Sequence, residues 1–167
     1  MSDIYKEYLV KRKKKISDLA MQVGIVVLGL VLALLGFSFL GGFLGSIVSI
    51  IVVFGGYKLF LKIDKEYEYI LTNNELDIDV IYSKQDRKRL YSLNMKKIDI
   101  MVSVQNKDYE NQLKRQAKVI NASDGNLTKE TYAILVPEDN GYKKILITPD
   151  EKFLDYLYKV APSKVIR

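Results

Sequence analysis

The sequence predicts a membrane α-helical hairpin joined to an α+β or all-β domain. That domain is expected to hold about seven antiparallel strands in a half-open barrel capped by a C-terminal helix. Three observations predict this. Residues Leu19 to Tyr57 form 39 consecutive positions without a charged side chain. Beyond residue 64, apolar and polar residues alternate with period two in several stretches. From Pro149 the apolar spacing changes to three and four, the period of a helix.

The uncharged run comes first in the chain. An α-helix rises about 1.5 Å per residue, so as one helix the run would measure roughly 58 Å, while the hydrocarbon core is about 30 Å thick and about 20 residues cross it. Two helices with a tight turn fit that thickness. The paired Gly41-Gly42 supplies the break, which places the helices near residues 19–40 and 43–62. A signal peptide has an apolar region of roughly 7–15 residues and a small-residue cleavage site, and this run is far longer. A buried core hairpin fails too, because the 104 residues from 64 to 167 cannot wrap two such helices.

Basic residues flank both ends of the run. Lys11, Arg12, Lys13, Lys14 and Lys15 precede it, Lys58, Lys62 and Lys65 surround its end, and the turn carries no charge. The positive-inside rule then predicts a multi-pass protein of the cell membrane with both termini cytoplasmic. The N-terminal run is first of all a topology determinant; its second reading is contact with anionic headgroups. Ahead of it, Ile4, Tyr5, Tyr8 and Leu9 recur at i, i+1, i+4 and i+5, which predicts a short interfacial helix within a basic segment 1–18. Small residues recur at a spacing of four: Gly29 and Ala33 in the first helix, Gly41, Gly45 and Ser49 in the second. Such stripes let helix backbones approach closely, within one hairpin or between two copies. No charged residue lies between Leu19 and Tyr57, so no carrier for a proton or ion pathway stands out.

Residues 64–167 form the second domain. Leu76, Ile78, Val80 and Tyr82 alternate with Asp77, Asp79 and Ile81, and Ile98, Ile100, Val102 and Val104 alternate with Asp99, Met101 and Ser103. Period two with one apolar face marks half-buried antiparallel strands. Asn73-Asn74 separates the runs 67–72 and 75–82 as a two-residue turn, since Asn tolerates left-handed dihedrals. Further strands are expected over 89–93, 118–122, 131–136 and 143–148, with Asp139-Asn140-Gly141 turning between the last two. Thr148-Pro149-Asp150-Glu151 reads as a capping box that opens a helix over 149–161. Phe153, Leu154, Leu157, Tyr158 and Ala161 give that helix one apolar stripe, and Pro162 stops it.

Composition narrows function. The chain has no Cys and no His, which removes disulfides, thiolate sites, cysteine nucleophiles and the commonest general base and metal ligand. No Gly-rich phosphate loop, nucleophile elbow or metal-ligand cluster occurs, so a non-catalytic protein without cofactor or metal is expected. Residues 64–167 carry 18 Lys/Arg and 17 Asp/Glu, a net of +1, which gives no nucleic-acid-binding stripe. Lys84, Arg87, Lys88 and Arg89, in the next turn and the strand it opens, read as a solvated hairpin end. Their second reading is an anionic-lipid contact. Asp77 and Asp79 share one strand face, which is expected to be the solvent face. The sequons Asn121-Ala-Ser123 and Asn126-Leu-Thr128 have no meaning in a cytoplasmic domain.

The passage from Glu66 to Asp79, EYEYILTNNELDID, and the later Arg89 to Ile98, RLYSLNMKKI, resemble a bacterial pleckstrin-homology-like (PH-like) domain. The whole chain resembles a family of small Gram-positive bacterial membrane proteins that join a transmembrane hairpin to such a domain. The resemblance implies a fold and brings no activity. Phosphoinositide-binding members of the wider superfamily use basic residues around a longer first hairpin loop. Here that loop is the short, uncharged Asn73-Asn74, so the lipid site does not carry over. The expectation is a membrane-anchored module that meets a membrane or cytoplasmic protein, a second copy of itself included, at the inner leaflet. An anionic-lipid sensor and an accessory subunit of a transporter or envelope complex are the alternatives.

Overall fold

The computed structural model describes residues 4–139 and 141–167. The chain divides into two compact units. One is formed by Lys14–Lys65, the other by Glu66–Arg167 together with the N-terminal residues up to Lys13.

The first unit is built on helix α1 (Ile16–Leu61). Asp18, in its first turn, reaches back to accept a hydrogen bond from the Lys15 backbone N–H at 2.9 Å, which satisfies one of the donors a helix start leaves open. Helical dihedrals are interrupted at Gly41, with φ 75° and ψ 177°, a conformation that only glycine adopts freely. Residues on the two sides of this break approach each other. A Cβ placed on Gly45 would lie 2.8 Å from the Phe37 Cα, one on Gly36 3.3 Å from Val48, and one on Gly56 3.6 Å from Ile25. The hydroxyls of Ser38, Ser46 and Ser49 donate to the carbonyls of Leu34, Gly42 and Gly45, so no side-chain donor of theirs needs water. Leu28, Leu30, Phe39, Phe43, Ile50 and Phe54 are exposed. By length and composition α1 is sufficient to cross a membrane.

The second unit holds two four-stranded sheets. In the first, strands β1 (Tyr5–Lys11), β2 (Lys65–Thr72), β3 (Glu75–Tyr82) and β4 (Asp86–Asn94) lie in sequence order. Strand β1 corrects the interfacial helix expected from Ile4, Tyr5, Tyr8 and Leu9. It pairs antiparallel with β2 from Tyr5↔Thr72 to Lys11↔Glu66. Over so few residues the apolar spacing fits either period, and tertiary pairing decides it. Tyr8 and Val10 pack into the core, while Leu9 and Lys11 face out. Asn73 has φ 54° as the turn requires, and it also clamps the chain end. Its N–H donates to the Ile4 carbonyl at 2.8 Å, and its Oδ1 accepts from the Ile4 N–H at 3.0 Å.

The second sheet has the order β5 (Ile100–Ser103), β7 (Tyr132–Glu138), β8 (Gly141–Ile147), β6 (Ala117–Asn121). The expected strands are all present, and β1 raises the count to eight among the described residues. One pairing differs from the antiparallel expectation: β6 and β8 are parallel. Residues 122–131 carry the chain past β8 to β7, and β7 then returns as β8 through a hairpin closing at Glu138↔Gly141. Asn140 of that turn lies outside the described residues. Between β5 and β6 a 3-10 turn, Lys107–Tyr109, leads into the short helix α2 (Glu110–Leu113).

Both sheets contribute to one core. Tyr69, Leu71, Leu76 and Ile78 from the first meet Met101, Ile134, Ile145 and Ile147 from the second. Helix α3 (Glu151–Val160) caps this core with Phe153 and Leu157, each worth about 1.5–3 kcal/mol of burial. Its N-cap is Asp150, whose Oδ1 accepts from the Phe153 N–H at 2.7 Å, and not Thr148 as the capping-box reading placed it. The Thr148 hydroxyl instead accepts from the Asp124 N–H at 3.3 Å, which leaves the carboxylate to cap. Past the helix the tail returns along β5. The Met101 N–H donates to the Lys164 carbonyl, and the Ile166 N–H to the Met101 carbonyl, both at 2.8 Å.

Candidate functional site

The β3–β4 hairpin was the strongest candidate surface in the second unit. Ser83 and Lys84 take φ of 47° and 59°, two successive left-handed residues that match the twist of a tight hairpin. Lys84 thus stands exposed at the tip. Beyond it the strand alternates, and Arg87 and Arg89 project to one side. Arg89 binds Asp77 at 2.7 Å through Nη1 and Asp79 at 2.5 Å through Nε. Arg87 pairs with Glu68, and its Nε lies 3.9 Å from Asp79. The hydrogen bond to Asp79 raises the Arg89 pKa above its already high ordinary value.

This arrangement changes two readings. Asp79 is only 3% exposed, so the face it shares with Asp77 is covered by arginines and is not an open solvent face. Two of the four basic residues proposed for lipid contact are also occupied by carboxylates of their own sheet. Lys84 and Lys88 remain, and neither has an ion pair among the described residues. Glu68 was missed as a partner. Its signal was present in the alternation Glu66-Tyr67-Glu68, which puts carboxylates on the face where Arg87 and Arg89 arrive two strands away.

The N-terminal basic run is likewise divided. Lys11 ends β1 opposite Glu66. Lys13 binds Asp124 twice, by its N–H to the carbonyl and by its ammonium to the carboxylate, both at 2.7 Å, and the second bond raises the lysine pKa. Arg12 acts on buried Tyr67, whose pKa is raised by desolvation and partly lowered again by this cation. Lys14 and Lys15 belong to the other unit, where Lys14 lies 3.9 Å from Asp64. The five residues therefore form no single bare cationic patch.

In the first unit, Gly29 and Ala33 line an apolar groove of about 590 Å³ with Ile25, Val52, Gly56 and Tyr57. Gly45 makes the tightest approach, and Ser49 turns its hydroxyl onto the Gly45 carbonyl. Gly41 is the break itself and meets nothing within 4 Å of an added Cβ. Gly36 and Gly56 were missed as packing positions; Gly36 continues the small-residue series Gly29, Ala33 by a further three residues.

A second polar cluster, unforeseen from sequence, ties the two sheets. Tyr91 of β4 donates to Glu138 of β7 at 3.0 Å, Lys143 of β8 pairs with the same carboxylate, and its ammonium lies 4.2 Å from the Tyr91 ring centre. Hydrogen bonding to Lys143 and then to Tyr91 lowers the Glu138 pKa. Among the described residues no group of three or more His, Cys, Asp or Glu side chains is placed to hold a metal ion.

Two sheets closed by a C-terminal helix define a PH-like domain. The sequence profile of the Bacterial PH-like domain (DUF6106) matches residues 2–167, and the chain belongs to that family. No curated protein and no solved structure matches it.

Proposed function

We propose that this chain is a membrane-anchored PH-like module, non-catalytic, that mediates protein interaction at the inner leaflet. The observation that carries the reading is the exposure of nearly the whole apolar surface of α1 next in sequence to a folded, nearly neutral β unit. In water such a surface exceeds by far the few hundred Å² of contiguous apolar patch that soluble monomers expose. In lipid it is in its own solvent.

The anchor is a two-helix hairpin that turns at Gly41, with both ends cytoplasmic. The close approaches of Gly45 to Phe37 and of Gly56 to Ile25 support it, as does the placement of lysines at both ends of the run. Because the chain lacks cysteine, Phe43→Cys and Lys88→Cys test the topology. A membrane-impermeant maleimide added to intact cells labels the first and reaches the second only after lysis. Label at Lys88→Cys without lysis refutes the orientation.

The pairing of Arg87 and Arg89 with Glu68, Asp77 and Asp79 favours protein interaction over lipid sensing. Crosslinking with mass spectrometry on native membranes tests it. Recurrent links from Lys84, Lys88 or Lys118 to one polypeptide, or to a second copy, are expected. Links no more frequent than those of an unrelated anchored protein refute the module.

A further inference from the structure

The two sheets have four edge strands, and they differ in how they are guarded. Strand β4 carries Arg87, Lys88 and Arg89 in succession, and β1 carries Lys6, Glu7 and Lys11. Charged side chains of this kind discourage edge pairing. The edge of β5 is covered by the chain's own tail through the two bonds between Met101 and Lys164–Ile166. Strand β6 is guarded least, with no covering segment among the described residues and fewer charges than β1 or β4. Its single charge is Lys118, and its middle residue, Val119, is 55% exposed.

Val119 is also the open end of a row of side chains that crosses the sheet. The registers align Ile100, Leu135, Lys144 and Val119 across the four strands, so all four side chains lie on one face. Ile100 and Leu135 are buried there beneath Tyr109 and Leu113, and Lys144 turns its ammonium onto the Leu113 carbonyl. The row stops at Val119 for want of a neighbour.

We propose that β6 is a docking edge for the β6 strand of a second copy of this chain, paired antiparallel about a two-fold axis. The five residues Ala117–Asn121 are centred on Val119. Self-pairing about that centre sets Val119 opposite Val119 of the second copy, Lys118 opposite Ile120, and Ala117 opposite Asn121. No like charges oppose each other, and the two exposed Val119 side chains cover one another across the axis. A five-residue strand buries far less than the roughly 1,000 Å² of a stable interface. The pairing therefore needs the raised local concentration of two copies held in one bilayer, and it rests on the membrane-anchored reading.

The test uses the full chain in lipid vesicles. Directly paired residues of antiparallel strands have Cα atoms about 4.5–5.5 Å apart, within disulfide range. Val119→Cys is expected to give a disulfide-linked dimer under mild oxidation, while Ser92→Cys on the β4 edge stays monomeric. Val119→Lys, which places two cations face to face at an exposed site, is expected to lower the dimer fraction roughly fivefold, read by energy transfer between labelled copies. Dimer formation by Val119→Cys no greater than by Ser92→Cys, or an unchanged dimer fraction in Val119→Lys, overturns the proposal. If those fail while native-membrane crosslinks to another polypeptide persist, the self-pairing is wrong and the anchored module stands.

Discussion

Tyr69 is wholly buried, and its hydroxyl joins the first sheet to two backbone groups of the second half of the domain. It donates to the Ala122 carbonyl at 2.5 Å and accepts from the Thr148 N–H at 3.1 Å. Its ring lies 6.1 Å from both Tyr8 and Phe153, contacts that phenylalanine would keep. Tyr69→Phe therefore isolates the hydroxyl. It leaves the buried Ala122 carbonyl without a partner at about 1–3 kcal/mol and the part-buried Thr148 N–H at about 1 kcal/mol. The expected loss at pH 7 is about 2–4 kcal/mol.

The same hydroxyl sets a pH dependence. Burial raises the Tyr69 pKa well above its ordinary value of 10.0. In the unfolded chain the phenol ionises near pH 10, while in the folded chain it stays protonated. Above pH 10 the unfolded state thus binds fewer protons, so the contribution of Tyr69 to stability is complete below that pH and falls as pH rises. The loss reaches about 1.4 kcal/mol by pH 11. Tyr8, Tyr67, Tyr91 and Tyr132 shift in the same direction but occur in both proteins and cancel in the difference. Urea titration of the full chain in detergent, followed by protease resistance of the β unit, measures both terms. A Tyr69→Phe protein within 0.5 kcal/mol of the parent refutes the reasoning, as does a gap between the two that stays constant from pH 7 to pH 11.

Three further outcomes follow from particular contacts. Gly45→Ala drives a Cβ to 2.8 Å from the Phe37 backbone and is expected to cost about 1–3 kcal/mol in detergent-titration unfolding. Gly55→Ala meets nothing within 4 Å and should be neutral or stabilising; equal effects at the two sites would show that the close approach is not there. Asp150→Ala removes the α3 cap and should cost about 1 kcal/mol in thermal unfolding, with Thr148→Val failing to reproduce loss of the cap. Arg89→Met leaves Asp79 with only Arg87 at 3.9 Å and should cost about 1.5–3 kcal/mol. Adding Asp79→Asn should recover part of it in a double-mutant cycle.

The parts legible from sequence were those whose cause is local. Asn73 takes a left-handed conformation and helical dihedrals break at Gly41; both follow from the properties of single residues. Seven strands could be read because each is a short alternating or apolar run bounded by turn residues. Strand β1 could not, because Tyr5–Lys11 becomes a strand only when β2 offers an open edge 55 residues further on, at Glu66↔Lys11. The parallel pairing of β6 with β8 is likewise a property of the connection at 122–131 and leaves no mark in the residues of β6. Thr148 lost the cap to Asp150 for the same kind of reason. Its hydroxyl has a partner, Asp124, that is 24 residues distant in sequence.

The candidate surface shows what this difference does to functional reading. Read along the chain, Lys84, Arg87, Lys88 and Arg89 form a basic cluster, and Asp77 and Asp79 form a separate acidic pair. Pairing of β3 with β4 sets Asp79 directly against Arg89, and β2 brings Glu68 into the same face, so the two clusters neutralise each other. The carboxylates are covered by this pairing, and the guanidinium groups, half exposed, are already paired within the sheet. What stays open and unpaired among the described residues is Lys84 and Lys88 on one edge, and on the opposite sheet the uncharged, exposed Val119. A run of one charge in a β protein therefore says little about binding until the strands beside it are known, whereas an apolar residue left exposed on an unguarded edge has no internal partner to explain it.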